Sequence, residues 1–127
     1  MPAGGVPILK QRGYLIAVAQ ADPSDEDLVS LRDRLVEEVG RHRSIGVILD
    51  VTGLDVMDSF SARTVRDLAL ALRLRGAETV IVGIQPEVAF SMVQLGLRLE
   101  GVLTALDLEE GIACLDGKRR QNNPGIE

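Results

Sequence analysis

An acidic stretch in the middle of the chain holds the side chains most able to do chemistry. Asp50, Asp55 and Asp58 supply carboxylates, and the hydroxyl of Ser59 follows directly. Such residues serve two chemistries: an aspartate that accepts a phosphoryl group with Mg²⁺, or a serine that is itself phosphorylated. The stretch overlaps the end of the apolar run Ile45–Val51. Open α/β sheets place their sites just beyond the carboxyl ends of their strands, so this position favours a functional role.

Phosphorylation of an aspartate is the chemistry of response-regulator receiver domains, which Ile48-Leu49-Asp50-Val51 resembles superficially. That chemistry needs an acidic pair after the first strand and a lysine after the last one. Asp22 and Asp25 match the acidic pair poorly, and no lysine lies between Lys10 and Lys118. The sequence therefore disfavours a receiver domain.

Ser59 has two interpretations at the predicted start of a helix. The backbone N–H groups and the positive dipole end there tolerate a phosphate, so Ser59 can be a phosphorylation target. The plainer interpretation is that Asp58 or Ser59 only caps the helix, and spacing alone favours it. Phe60 is typical of a core residue, although beside an exposed cap it can anchor a partner. A phosphate on Ser59 is expected beside Asp55 and Asp58, in an acidic site.

Other candidates for catalysis are weak. His42 is the only histidine and lies between two arginines at a predicted helix end, which is typical of a solvated cap. Cys114 falls on the apolar side of the last predicted helix, where we expect a small buried hydrophobe. The sequence has no glycine-rich phosphate-binding motif. We therefore expect a protein without enzymatic activity, metal or cofactor.

The composition narrows the class of protein. The 127 residues carry a net charge of −5 and are 46% hydrophobic and 26% charged, as in a globular domain. The acidic balance disfavours nucleic acid as a partner. No apolar run approaches the roughly 20 residues that span a bilayer, and no tripartite signal sequence opens the chain. We expect a soluble, cytoplasmic protein that does not bind membranes.

Short apolar runs and amphipathic stretches alternate along the chain and predict the order β-β-α-β-α-β-α-β-α. Lys10–Gly13 is expected to connect the first two strands as a hairpin. The predicted strands are Val6–Leu9, Tyr14–Ala19, Ile45–Val51, Thr79–Ile84 and Val102–Leu106. Ile45–Val51 and Thr79–Ile84 are almost entirely apolar, so we expect them to be adjacent parallel strands buried on both faces.

Helical periodicity predicts about four helices packed on a mixed, mostly parallel sheet of four to five strands, an α/β fold. The first helix carries Leu28, Leu31, Leu35 and Val39, and the second carries Ala62, Val65, Leu68, Ala69 and Leu72. The third opens at Gln85-Pro86 and directs Val88, Ala89, Met92, Val93 and Leu95 inward. The last is capped by Asp107, and a polar, frayed tail is expected after Gly117.

The whole ordering resembles a STAS domain, the fold of anti-sigma-factor antagonists. The resemblance is carried by Val6-Pro7-Ile8-Leu9-Lys10, Asp58-Ser59-Phe60 with Ala62-Arg63, Gly83-Ile84-Gln85-Pro86 with Val88-Ala89, Leu95-Gly96, and Thr104-Ala105-Leu106-Asp107-Leu108-Glu109. Within the family the similarity is greatest to the RsbS-type scaffold proteins of bacterial stressosomes. It covers about residues 6–116, so we expect one STAS domain over residues 1–127 with a polar C-terminal tail at 117–127.

The resemblance implies a non-enzymatic antagonist that sequesters an RsbT-type serine kinase together with RsbR-type STAS proteins, in a large homo- or hetero-oligomeric assembly. It implies that the kinase phosphorylates Ser59 and is thereby released. The implied partner-binding residues are Asp58, Ser59, Phe60, Arg63, Gln85 and Pro86. Ser61 departs from the family pattern, in which an aliphatic residue is more typical, and it adds a second hydroxyl close to the first.

Two other functions remain open at this point. A conventional anti-sigma-factor antagonist would bind an anti-sigma kinase directly, outside any large scaffold. A small-ligand-binding, enzymatic or receiver-like α/β domain is the alternative from a different class. For an antagonist that captures a kinase, we expect the helix from Leu28 to Val39 to be peripheral to the contact.

Overall fold

A five-stranded sheet with helices on both faces organises the computed structural model, which describes residues 5–19 and 21–122. Its elements are β1 (Ile8–Gln11), β2 (Tyr14–Val18), α1 (Asp25–His42), β3 (Gly46–Asp50), α2 (Ser59–Leu74), β4 (Glu78–Val82), α3 (Pro86–Leu95), β5 (Leu103–Ala105) and α4 (Leu108–Asn122). The strands lie side by side in sequence order; β1 pairs antiparallel with β2, and all other neighbours are parallel. The predicted α/β fold and element order are confirmed.

The two most apolar runs form adjacent parallel strands, as predicted. β3 pairs with β4 over the full length of both strands, with Ile48 opposite Val80. Successive side chains of a strand point to opposite faces, so Val47 and Leu49 join the core on one face of the sheet and Ile48 joins the core on the other. Both faces are covered, which is why the sequence of these strands shows no polar alternation.

Helices α1, α2 and α3 cover one face of the sheet, and α4 covers the other. Leu35 of α1 and Leu72 of α2 are fully buried on the first face. On the opposite face, Leu115 of α4 is buried, and Gly111 brings the helix close to β4. A Cβ atom on Gly111 would lie 2.7 Å from Cγ1 of Val82, so a larger residue would push α4 off the sheet.

The first hairpin is tighter than its sequence predicted. Arg12 and Gly13 form the turn with φ angles of 56° and 83°, the left-handed conformation that two-residue hairpins need. The two residues before them, expected in the connection, pair with β2 instead. β1 therefore begins two residues later than the predicted Val6–Leu9. Pro7 has no N–H to donate to the ladder, which is consistent with its position outside the strand.

Helix α3 buries less of its surface than its sequence predicted. Val88 and Met92 are buried, whereas Ala89, Val93 and Leu95 are exposed. The helix connects β4 to the edge strand β5, which has only three residues, so little sheet is available to cover a second apolar stripe. One side of α3 therefore presents apolar side chains at the surface.

Helix α4 continues beyond the predicted start of the polar tail. Gly117 lies inside the helix, which extends to Asn122. The hydroxyl of Tyr14 donates a hydrogen bond to Asp116, which fastens this part of the helix to β2. Basic residues in the last turn, among them Arg120, interact favourably with the negative end of the helix dipole. Residues 123–127 of the predicted tail lie outside the described residues.

Ser24, His42 and Cys114 have structural surroundings. Ser24 caps α1, since its hydroxyl accepts from the backbone N–H of Asp27 at 3.0 Å and the Asp27 carboxylate accepts from the backbone N–H of Ser24 at 3.1 Å. His42 is the last residue of α1, with its Nε2 2.8 Å from Oε1 of Glu38. Cys114 is half-buried beside the core under α4, where full burial was expected.

Candidate functional site

The acidic stretch forms the loop between β3 and α2. Hydrogen bonds to the carboxylates of Asp50 and Asp22 fix the shape of this loop. Oδ1 of Asp50 accepts from the backbone N–H of Thr52 at 3.0 Å and from its hydroxyl at 2.7 Å. The backbone N–H of Asp55 donates to Oδ1 of Asp22 at 2.9 Å. Asp50 therefore acts as a turn-forming acceptor, a common structural role for aspartate in loops.

The next loop, between β4 and α3, packs against the acidic loop. Nε2 of Gln85 donates to the carbonyl oxygen of Thr52 at 2.6 Å. Gly83 has a φ of 81°, and a Cβ atom there would lie 2.1 Å from Oγ1 of Thr52, so the close approach needs glycine. Pro86 follows, exposed, in the first turn of α3. The Gln85-Pro86 segment and the acidic loop thus occupy the same end of the sheet.

Asp58 is the N-cap of α2, and Ser59 is the first residue of the helix. Oδ1 of Asp58 accepts a hydrogen bond from the backbone N–H of Ser61 at 2.8 Å. This bond, together with the Ser61 hydroxyl, lowers the pKa of the Asp58 carboxyl because both stabilise its charged form. Ser59 is exposed, and since Asp58 supplies the cap, the hydroxyl of Ser59 is not needed to hold the helix.

Ser59 lines a groove of about 270 Å³ between α2 and the segment that follows α3. The other polar side chains that line it are Arg63, Arg66, Arg98 and Glu100. Three cations face one carboxylate there, so the groove is basic. The groove that Ser59 lines is therefore basic where an acidic site was expected: Arg63 and Arg66 come from later turns of the same helix, and Arg98 comes from a distant segment.

Asp58, the residue before Ser59, lines a different space. Asp58 lines, with Asp22 and Asp50, a mainly apolar cavity of about 220 Å³ between α1, α2 and the sheet. Ser61 also lines this cavity, while Ser59 lines the basic groove. Two steps along a helix rotate a side chain by about 200°, so the two hydroxyls point to different sides of α2.

The remaining residues expected to bind a partner surround the start of α2. Phe60 is half-buried, and its carbonyl oxygen accepts from the Thr64 hydroxyl at 2.9 Å. Arg63 is exposed one turn after Ser59. Helix α1, predicted to be peripheral, contributes Asp25 to the apolar cavity, so its first turn also lies at this end of the molecule.

Arg66 and Arg98 line the groove but were not identified from the sequence. Arg66 is seven residues after Ser59 and so lies on the same helical face, a spacing that the sequence displays. Arg98 belongs to the connection between α3 and β5, and only the folded topology brings it beside α2. No local pattern could have identified it.

Three of the acidic residues that line the apolar cavity accept hydrogen bonds from the nearby backbone. Asp22, Asp50 and Asp58 each accept a backbone N–H. Within residues 5–19 and 21–122, no cluster of three or more His, Cys, Asp or Glu side chains is arranged to hold a metal ion. No helix in this described part of the chain is long and apolar enough to cross a bilayer.

Sequence comparison shows the family of this chain. The model of the STAS domain family matches residues 25–110, more than half of the chain. The RsbT co-antagonist protein RsbRA of Bacillus subtilis (strain 168) is 38% identical over 82 residues, which cover 65% of this chain and 30% of that protein. The chain spans about a third of the length of its curated relatives of this kind.

Solved structures give the same result at the level of the fold. A serine-to-glutamate variant of RsbS from Moorella thermoacetica superposes with a TM-score of 0.78 at 30% identity, covering 91% of this chain and 97% of that one. A chain from a stressosome structure superposes with a TM-score of 0.74 at 29% identity, covering 90% and 99% respectively. The predicted resemblance is therefore confirmed: the chain belongs to the STAS domain family and is related to the stressosome proteins RsbR and RsbS.

Proposed function

We propose that this STAS domain is a non-enzymatic antagonist in a partner-switching pathway that regulates a bacterial sigma factor. The unphosphorylated chain captures an RsbT-type serine kinase together with RsbR-type STAS proteins, within a large cytoplasmic assembly. The kinase then phosphorylates Ser59 and is released to act downstream.

The exposure of Ser59 is the observation that carries this proposal. Its hydroxyl lies on the first residue of α2, within the Asp58-Ser59-Phe60 sequence that resembles the acceptor motif of the family. A kinase can reach this hydroxyl without unwinding the helix, because Asp58 holds the helix start. Ser61, by contrast, is half-buried and lines the apolar cavity.

The proposed partner surface surrounds Ser59 and comprises Asp58, Phe60, Arg63, Gln85 and Pro86. Phe60 and Arg63 belong to α2, and the bond between Gln85 and Thr52 joins the loop before this helix to the loop before α3. Loops held in one conformation lose little entropy when a partner docks, so this surface is suited to binding. A phosphate on Ser59 adds about −1.5 to −2 charge and considerable bulk at its centre. Docking should therefore weaken while the fold is retained.

The relatives support the choice of partners. RsbRA is named as an RsbT co-antagonist, which points to a kinase of the RsbT type. The similarity to a chain of the stressosome, described as a signal integration and transduction hub, supports membership of a large assembly.

Site-resolved phosphorylation tests the proposal. The purified chain is incubated with an RsbT-type kinase and ATP, and the modified peptide is sequenced by mass spectrometry. We expect one phosphate on Ser59, and none on the Ser59→Ala variant. Ser61→Ala is the matched control, since it removes a hydroxyl two residues away and should be phosphorylated normally. Full phosphorylation of Ser59→Ala, or loss of phosphorylation in a folded Ser61→Ala variant, would show that the acceptor is misassigned.

A further inference from the structure

The basic groove beside Ser59 is formed by two parts of the chain that are far apart in sequence. Helix α2 contributes Ser59, Arg63 and Arg66, and the segment after α3 contributes Arg98 and Glu100. The segment is joined to α2 at a second place, where Nη2 of Arg73 donates to the Gly101 carbonyl oxygen at 3.1 Å. The groove therefore lies between α2 and the segment that connects α3 to β5.

Helix geometry directs two of the arginines toward Ser59. At 100° per residue, Arg63 lies about 40° and Arg66 about 20° from Ser59 around the helix axis, at heights of about 6 and 10 Å. Side chains of an α-helix lean toward its N-terminus, and arginine is long enough to span these heights. Both guanidinium groups can thus approach the hydroxyl of Ser59.

The three arginines of the groove have unused donors in the described part of the chain. Arg63, Arg66 and Arg98 form neither a salt bridge nor a side-chain hydrogen bond with the described residues. Glu100 lies in the same groove without an ion pair to any of them. Arg73 on the same helix, by contrast, is paired with Glu78 at 3.6 Å. The groove therefore carries an uncompensated positive charge next to an exposed hydroxyl.

Resting on the proposed phosphorylation of Ser59, we infer that this groove is an internal phosphate site: Arg63, Arg66 and Arg98 bind the phosphate of Ser59 within the same molecule. Guanidinium groups bind phosphate oxygens through paired N–H donors, and charge-assisted bonds of this kind are stronger than neutral ones. The phosphate ties α2 to the segment before β5.

This intramolecular contact explains how one phosphate changes a wide surface. In the unphosphorylated chain, Arg63 belongs to the proposed partner surface and its guanidinium is free to meet a carboxylate of the partner. After phosphorylation, Arg63, Arg66 and Arg98 turn toward Ser59 and their charge is neutralised. The partner then loses cationic contacts as well as access to the serine.

Phosphorus NMR on a chain with phosphoserine installed at position 59 during translation tests the inference without any kinase. The second pKa of a phosphoserine is about 6, and nearby cations lower it by stabilising the dianion. Arg63→Gln, Arg66→Gln and Arg98→Gln should each raise the measured pKa by about 0.5 or more. Arg120→Gln is the matched control, since it removes the same charge from an exposed position of α4, on the other face of the sheet.

The inference is wrong if none of the three groove variants raises the phosphoserine pKa further than Arg120→Gln does. It is also wrong if Arg98→Gln does not do so, whatever Arg63→Gln and Arg66→Gln do, because Arg98 is what joins the second segment to the site. Circular dichroism of each variant establishes that it is folded. Because the phosphoserine is installed by translation, failure of the groove to bind it is distinguishable from failure of a kinase to phosphorylate Ser59.

Discussion

Two serines that are close in sequence have separate surroundings in the fold. Ser59 is exposed on the basic side of α2, and Ser61 is half-buried on the apolar side, where its N–H meets the Asp58 carboxylate. Asp58 thus does the structural work of the helix start. Because Asp58 caps the helix, the hydroxyl of Ser59 is available for modification.

Replacing the N-cap residue Asp58 should therefore lower the free energy of unfolding more than replacing Ser59, the proposed site of phosphorylation. Asp58→Ala removes the acceptor of the Ser61 N–H and should lower the free energy of unfolding by about 1 kcal/mol, the typical cost of losing an N-cap. Ser59→Ala should change it by less than about 0.5 kcal/mol, as for most surface substitutions. Urea unfolding measures both, and Asp58→Ser, which keeps a capping oxygen, is the control. Equal losses for Asp58→Ala and Ser59→Ala would contradict this assignment of roles.

The lowered pKa of Asp58 predicts a pH dependence of stability. The pKa of this carboxyl is lower in the folded protein than its ordinary value of 3.8, because hydrogen bonds from Ser61 stabilise the charged form. The carboxylate therefore contributes its full stabilisation above pH 4 to 5, and loses it as the pH falls through the folded pKa. The stability difference between the wild type and Asp58→Asn should be constant near neutral pH and should shift against the wild type below pH 4. A difference that changes between pH 6 and 8 would contradict it.

At the scale of the elements, close contact between two loops fixes the end of the sheet that carries Ser59. Gly83→Ala would place a methyl group against Thr52 and force a left-handed backbone, which costs about 1–2 kcal/mol even without the clash. We expect thermal unfolding to show a clear loss of stability. Gly117→Ala is the control: it lies within α4 with open space around it and should stabilise the helix by up to about 1 kcal/mol. A neutral Gly83→Ala would mean that the two loops are not held together as described.

The apolar pattern predicted the buried strands well, because a strand that is covered on both faces consists almost entirely of apolar residues. β3 and β4 are examples, and their parallel pairing followed from their unbroken apolar runs. The prediction for α3 was wrong in part, since Val93 and Leu95 look like core residues but are exposed. The apolar pattern of a helix does not show how much of the sheet is available to cover it. The sequence also predicts a polar tail after Gly117, whereas the helix continues through this glycine to Asn122.

The candidate site was predictable only in part, for a related reason. The Asp58-Ser59-Phe60 motif is local, so the sequence identifies the start of the helix and the candidate hydroxyl, while leaving open whether Asp58 or Ser59 is the cap. The charge around that hydroxyl depends on Arg98, which is 39 positions further along the chain (98 − 59). The sequence therefore indicated acidic neighbours, and the fold supplies basic ones.

For the whole molecule, the end of the sheet that carries Ser59 combines an acidic, mainly apolar cavity with a basic groove on the other side of α2. A chain with a net charge of −5 thus presents a local positive patch where a partner is proposed to dock. Such patches act on association rates and specificity more than on affinity. Kinase binding should therefore slow as salt is raised.

Assembly with an RsbR-type protein distinguishes the proposed scaffold from a conventional antagonist. We expect the unphosphorylated chain to co-elute with an RsbR-type STAS protein in a large species on size exclusion. Leu74→Ser, which changes a side chain that is 89% exposed near the other end of α2, provides a control for surface substitutions. Binding of an anti-sigma kinase without any complex with the RsbR-type protein would favour the conventional antagonist.

The affinity of the chain for an RsbT-type kinase, measured with and without phosphoserine at position 59, tests the central claim most directly. Calorimetric titration of the kinase into each form gives the two dissociation constants under the same salt conditions. The account predicts that the unmodified chain binds and that phosphorylation weakens binding by about tenfold or more, equivalent to at least about 1.4 kcal/mol. Ser61→Ala should bind as the wild type does. Equal affinities of the unmodified and phosphorylated chains would contradict the claim that Ser59 controls kinase capture.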